Sequence, residues 1–222
     1  MSDHDRSPLL ILLPVKRLGE AKQRLAGVLD AEHRARLVVA MLTDVVQILV
    51  KAELEPWVVT PDETVLSLTA KLGARGYRET AATGSLNAAL DAAERTLRQP
   101  TGRLLVLLPD TPLVAVAELQ ELIAAGRDGD GLGADVVLAP DGARRGCNAM
   151  LLAPGIRLPF SFGEGSYARY AATAAATGLR SVEFNRPGLA LDVDEPADIQ
   201  AASELAIIRG AAPATLAFLS RT

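Results

Sequence analysis

The chain is poor in the side chains that most often bind metals or form covalent intermediates. Its 222 residues include one cysteine, Cys147, and two histidines, His4 and His33. A single cysteine excludes a disulfide framework and a cysteine-based zinc site, and the two histidines have no metal-ligand spacing. Basic residues are not in excess. The formal net charge of -4 removes the electrostatic footprint that nucleic-acid binding needs. No run approaches the roughly 18 apolar residues of a membrane span, and the polar start MSDHDRSP has no apolar signal core. A cytoplasmic protein without membrane or nucleic-acid partners is the expectation. Two phosphate-binding signatures are also missing. The loop after the first apolar run has neither GxGxxG nor GxxxxGK[ST], which argues against an NAD-type fold and against a P-loop.

What is present is hydrophobic sequence in short, regular pieces. Hydrophobic residues make up 49% of the chain, enough for one sizeable core, and one domain is the default count. Residues 9–13 form a continuous apolar run closed by Pro14, the pattern of a strand buried on both faces. After Asp30, a candidate N-cap, Leu37, Val38, Met41, Leu42, Val45, Val46 and Leu49 recur at helical spacing. The same reading gives strands over 57–59, 104–108, 136–138, 149–152 and 190–193. Helices fall over 62–72, 85–98, 116–125 and 164–177, and a last one is opened by Asp194 and Pro196. The Gly/Asp-rich stretch 126–133 reads as a loop. Strands alternating with helices predict a mostly parallel sheet covered on both faces. Ligands of such sheets bind at the carboxyl ends of the strands, which singles out 14–24, 60–62, 109–112 and 192–194.

Those strand ends carry charge. Lys16, Arg17, Lys22 and Arg24 fall within nine positions after the first strand. A nucleoside triphosphate carries about four negative charges, for which Lys and Arg are the natural partners; a solvated basic loop has the same composition. Asp110 lies just past an apolar strand between Pro109 and Thr111-Pro112. A carboxylate there suits Mg²⁺, a hard cation that takes oxygen ligands, and equally suits a turn or a helix cap. Asp192 and Asp194 are two residues apart and share a side if the stretch is extended. Asp194 is explained as an N-cap, which leaves Asp192 as the better second ligand. Gly84-Ser85-Leu86-Asn87 and Phe162-Gly163-Glu164-Gly165-Ser166 each precede a helix, where free N–H groups receive anions or are simply capped. Cys147 follows Arg145-Gly146, and a buried structural cysteine is the commoner arrangement.

Taken together, PVKRLGEAKQRL from Pro14, GSLNAAL from Gly84, PDTPL from Pro109, GCNAM from Gly146, FGEGS from Phe162 and LDVDEPADI from Leu191 resemble the 2-phospho-L-lactate guanylyltransferase family of coenzyme F(420) biosynthesis. The order and spacing of these segments carry the resemblance, from about residue 9 to 206. It implies an α/β fold: a single three-layer nucleotidyltransferase domain of the glycosyltransferase-A type, with a mostly parallel, mixed sheet of seven strands. The implied reaction is attack by the phosphate of a three-carbon acid on the α-phosphorus of GTP, releasing pyrophosphate. The acid is 2-phospho-L-lactate, phosphoenolpyruvate or 3-phospho-D-glycerate in different members.

By match to the family's motifs, Asp110 and Asp192 hold Mg²⁺. Lys16, Lys22 and Arg24 meet the triphosphate, Gly84, Leu86 and Asn87 line the nucleoside site, and Cys147, Gly163 and Ser166 receive the acid. A monomer and a homodimer both fit, with hand-over of product to the next enzyme. Two positions depart from the pattern. Position 147 is Thr in many relatives and is Cys here, a weaker donor, which leans the acceptor away from 2-phospho-L-lactate. Position 108, where related nucleotidyltransferases often carry a second Asp, is Leu, so a metal would rest on Asp110, Asp192, phosphate oxygens and water. Molybdopterin and sugar-phosphate nucleotidyltransferases usually have a Gly-rich first loop that is absent here. A non-catalytic nucleotide-binding domain would have no use for the carboxylate pair.

Overall fold

A computed structural model describes residues 7–79, 84–127 and 132–221. The polar start with His4 and the middle of the 126–133 loop lie outside the described residues. Seven strands form one sheet: β1 (Leu9–Pro14), β2 (Pro56–Thr60), β3 (Arg75–Arg78), β4 (Arg103–Leu107), β5 (Val136–Pro140), β6 (Cys147–Leu152) and β7 (Ser181–Glu183). Their order is β3-β2-β1-β4-β6-β5-β7. β6 runs antiparallel to both neighbours and every other pairing is parallel. The helices are α1 (Ala31–Lys51), α2 (Glu63–Lys71), α3 (Leu86–Leu97), α4 (Val116–Ala125), α5 (Ser166–Ala176), α6 (Pro187–Ala190), α7 (Pro196–Arg209) and α8 (Pro213–Leu219).

Strand alternation builds the three layers. Ile11 and Leu13 of β1, Leu105 and Leu107 of β4, and Ala149 and Leu151 of β6 pack on one face with Leu37, Met41 and Leu42 of α1. The intervening Leu12, Leu104, Val106, Met150 and Leu152 pack on the other face with Ala89, Leu90 and Ala93 of α3 and Tyr170 of α5. Successive side chains of a strand point to opposite faces. The near-continuous apolar runs of these strands therefore report burial on both sides. Three helix starts carry side-chain caps: Asp30, read as an N-cap from sequence, accepts from His33 N, and Asp62 and Ser85, read as first helical residues, accept from Thr64 N and Ala88 N.

Two readings are corrected. Residues 190–193 are not a strand: α6 ends at Ala190 and the chain then runs irregularly to α7. Its polar groups are met from outside, with Val193 N donating to Asp110 O at 3.0 Å. The N-cap of α7 is Glu195, not Asp194, because the Asp198 carboxylate of the first turn accepts from both Asp194 N and Glu195 N. The edge strands β3 and β7 and the short helices α6 and α8 went unread. β3 and β7 are exposed or half-exposed and lack an apolar run.

Candidate active site

The carboxyl ends of β1 and β4, the start of β6 and the segments before α5 and α7 enclose a cleft of about 480 Å³. Lys16, Lys22, Arg24, Leu86, Asp110, Cys147, Gly163, Ser166 and Asp192 line it, together with Asp141, Asn148, Glu164 and Asp194. Segments from opposite ends of the chain thus converge where a doubly covered sheet is expected to bind its ligand. Of the residues matched to the family's site, Gly84 and Asn87 do not line the cleft, nor does Arg17 of the basic loop.

The basic loop is shaped from within. Leu25 is fully buried and anchors it. Arg34 of α1 donates to the carbonyls of Ala21 and Leu29. Lys22 stands at φ +50°, in the left-handed region, a conformation uncommon for a side chain of its size. This geometry turns its ammonium inward. Lys22 Nζ lies 2.7 Å from Asp110 Oδ2 and 3.5 Å from Asp194 Oδ1, with its side chain only 9% exposed. Burial works against the charge, but Asp110, then Asp194 and Asp192, more than offset it and hold the Lys22 pKa above its ordinary value.

The other cations divide. Arg24 is committed to carboxylates: Asp194 at 2.8 Å, Glu195 at 3.7 Å and Glu164 at 3.9 Å. Lys16 is exposed at the cleft and forms no ion pair among the described residues.

Asp110 is fixed by its backbone. Thr111 Oγ1 donates to Leu108 O, Leu108 N to Asn148 O, and Val193 N to Asp110 O. While Lys22 holds Asp110 Oδ2, Asp110 Oδ1 is buried with no hydrogen-bond partner among the described residues. Asp192 approaches from the neighbouring segment, and Asn148 Nδ2 donates to its Oδ1 at 3.2 Å and to Leu189 O at 2.9 Å. Burial, followed by the nearby Asp110 charge, pushes the Asp192 carboxyl up to about 6 against the pull of Asn148 and Lys22. A buried carboxylate oxygen without a partner, beside a second carboxylate with a raised pKa, is a donor pair short of positive charge. That suits a hard divalent cation. No group of three or more His, Cys, Asp or Glu among the described residues forms a metal cage, so the remaining ligands would come from substrate and water.

The wall opposite is made by residues 162–166 and the start of β6. Gly163 and Gly165 have φ of +122° and +72°, values that glycine adopts without strain. Ser166, fully buried, accepts at Oγ from Cys147 N at 2.9 Å. The Cys147 thiol donates to Ala149 O at 3.1 Å, and burial pushes its pKa up to about 12. Asp141 caps the β5–β6 turn, accepting from Arg145 N and Gly146 N. Leu86 also lines the cleft, while the Asn87 side chain turns onto Phe162.

Sequence reasoning missed Asp194 as a partner of Lys22 and Arg24, Asn148 as the partner of Asp192, and Asp141. The Arg24–Asp194 pair spans 170 positions and leaves no local signal. Asn148 lay just before the strand read over 149–152, whereas β6 begins at Cys147 and includes it.

A three-layer sheet of this topology, with a charged strand-end cleft, is the fold of nucleotidyltransferases. A solved structure from Desulfovibrio desulfuricans G20 matches the fold with a TM-score of 0.76 at 17% identity, covering 97% of this chain and 95% of that one. A nucleotidyl transferase from Methanothermobacter thermautotroptrophicus matches with a TM-score of 0.64 at 16% identity over 90% and 99%. The chain belongs to the family described as Guanylyl transferase CofC like, whose model matches residues 9–221. A phosphoenolpyruvate guanylyltransferase from Rubrobacter xylanophilus is 42% identical over 85% of this chain and 90% of its own length.

Proposed function

We propose that this protein transfers GMP from GTP to a phosphorylated three-carbon acid, with phosphoenolpyruvate the preferred acceptor, and releases pyrophosphate. The observation that carries the proposal is the Lys22–Asp110–Asp192 centre facing the glycine-rich 162–166 wall across one cleft. The name of the Rubrobacter relative and the Cys at position 147 favour phosphoenolpyruvate over 2-phospho-L-lactate, with 3-phospho-D-glycerate as the third candidate. We assign the product to coenzyme F(420) biosynthesis in the cytoplasm, with hand-over to the next enzyme. No helix among the described residues is long and apolar enough to cross a membrane.

An oxygen of the acceptor's phosphate attacks the α-phosphorus of GTP. The new P–O bond forms as the bond from that phosphorus to the bridging oxygen breaks, and the electron pair leaves on pyrophosphate. A phosphate monoester is largely ionised at neutral pH, its second pKa being about 6. The nucleophile thus needs no base, in keeping with the lack of a cleft histidine among the described residues. The protein's part is alignment and charge. Lys16, with its ammonium unpaired, is free to meet the outer phosphates. Lys22 keeps its positive charge inside the cleft. Arg24 reaches the nucleotide only by exchanging Asp194 and Glu195 for phosphate oxygens. The start of α3 at Leu86 borders the nucleoside, and the 162–166 turn receives the acid at the N-terminus of α5. Asp110 and Asp192 would hold Mg²⁺, which when bound neutralises charge on the phosphates.

The test is incubation with Mg²⁺, GTP and each of the three acids in turn. Pyrophosphate should be released with phosphoenolpyruvate, and mass spectrometry should find the guanylylated acid. Absence of pyrophosphate with all three acids defeats the proposal; release with a different acid corrects the acceptor alone.

A further inference from the structure

Asn87 was matched to the nucleoside site, but its side chain is engaged elsewhere. It is the second residue of α3 and is half-buried. Its Oδ1 accepts from Phe162 N at 2.8 Å and its Nδ2 donates to Phe162 O at 3.2 Å. Both bonds go to one residue 75 positions away. The pattern imitates a backbone ladder pair, and it needs an acceptor and a donor on one short side chain, which Asn supplies.

The partner segment is the wall that faces the cleft. Other bonds draw it back onto α5: Ser161 N donates to Tyr170 Oη, and Arg169 donates to Ser161 O and Glu164 O. Phe162 itself packs edge-on against Tyr170 at 5.3 Å between centroids. Asn87 adds a tie from α3, a different element. Its chain neighbour Leu86 lines the cleft, as do Phe162 and its neighbour Gly163. The two walls therefore share one carboxamide.

We propose that Asn87 is a positioning residue that couples the nucleotide end of the cleft to its acceptor end and touches neither substrate. The assignment of the two ends rests on the functional reading above. A nucleotide seated against the start of α3 fixes Asn87, and through Phe162 it fixes the turn that receives the acid. Substrate order follows: GTP bound first should preorganise the acceptor site, and removal of the carboxamide should uncouple the two.

The experiment compares the full chain with Asn87→Ala and Asn87→Asp. Asp retains the acceptor for Phe162 N but sets a second oxygen against Phe162 O. Three quantities are measured: the GTP dissociation constant by calorimetry, the KM for the acid at saturating GTP, and amide exchange of residues 160–166 with and without GTP. In Asn87→Ala the KM for the acid should rise about tenfold, the worth of one or two hydrogen bonds, while the GTP constant changes less than about twofold. GTP should slow exchange in 160–166 of the parent and not of the variant. Asn87→Asp should be at least as impaired as Asn87→Ala. A rise in the GTP constant alone means direct nucleoside contact and overturns the proposal, as does an unchanged acid KM. A parent that binds no GTP defeats the functional reading instead. In that case faster exchange of 160–166 in Asn87→Ala still supports the tie, and unchanged exchange overturns it.

Discussion

Lys22 Nζ donates to Asp110 Oδ2 at 2.7 Å, and the other oxygen of the same carboxylate is buried without a partner among the described residues. One half of Asp110 is neutralised from within the protein and the other half is left for a ligand. With Asp192 beside it, the centre carries more negative than positive charge until something cationic arrives. Asp110→Asn and Asp192→Asn should each lower turnover by about 100-fold or more, the scale of removing one electrostatic stabiliser, while circular dichroism stays that of the parent. The check is pyrophosphate release at saturating Mg²⁺ and GTP. Full activity in either variant would remove that carboxylate from the mechanism.

Lys22 reaches the cleft as a resident cation of the carboxylates, not as a free arm for the triphosphate. Its contribution should grow as charge moves onto the departing pyrophosphate. Lys22→Met should therefore reduce kcat by about 100-fold and change the GTP dissociation constant far less. Lys16→Met should show the reverse balance, weakening GTP binding more than it slows turnover, because Lys16 is exposed and unpaired among the described residues. Equal losses in both constants for both variants would contradict this division.

Asp192 yields a stability prediction with a definite sign. Its carboxyl is raised from 3.8 to about 6, burial being the first cause and Asp110 the second. The native state then holds a proton that the unfolded chain has released between those values, so stability contributed at this position falls as pH rises from about 4 to about 6. Above that range the ionised, buried carboxylate is a standing cost. In metal-free protein, Asp192→Asn should melt higher than the parent at pH 7.5 and at the same temperature near pH 4, since Asn can still accept from Asn148. A variant that melts lower at pH 7.5 would contradict the assigned shift. Mg²⁺ with GTP should narrow the gap by stabilising the parent more than the variant.

The layers were legible because buried strands announce themselves. Residues 9–13 and 104–108 are apolar at every position since both faces are covered, and the cap of α1 was plain from Asp30. β3 and β7 sit at the sheet edges with exposed side chains and leave no such trace. The 190–193 segment misled for a related reason. Leu191 is half-buried and Val193 fully buried there, but they are anchors of an irregular link, not rungs of a strand. At the site, charge type and strand-end position singled out Lys22 and Asp110, whereas Asp192 was singled out from a stretch misread as a strand. Which charges meet was hidden, because Lys22 with Asp110 and Arg24 with Asp194 are joined across 88 and 170 positions by the fold alone.

Ser166 and Cys147 allow structural and binding roles to be separated at the acceptor wall. Ser166 Oγ accepts from Cys147 N in a fully buried setting, so Ser166→Ala strands that N–H. An unsatisfied buried donor costs about 1–3 kcal/mol, and the melting temperature should fall accordingly. If the hydroxyl also donates to the acid, the KM for the acid should rise several-fold while the KM for GTP holds. A lower melting temperature with both constants unchanged would confine Ser166 to a structural part. Cys147 should react differently from a site nucleophile. Its thiol is 1% exposed, donates to Ala149 O and is pushed up to about 12, so the reactive thiolate is scarce at pH 8. A disulfide-exchange reagent should leave the native protein unmodified at that pH and titrate one thiol in guanidinium. Rapid native labelling, slowed by the acid, would instead put the thiol at the substrate, and Cys147→Thr would then be expected to change the preference among the three acids.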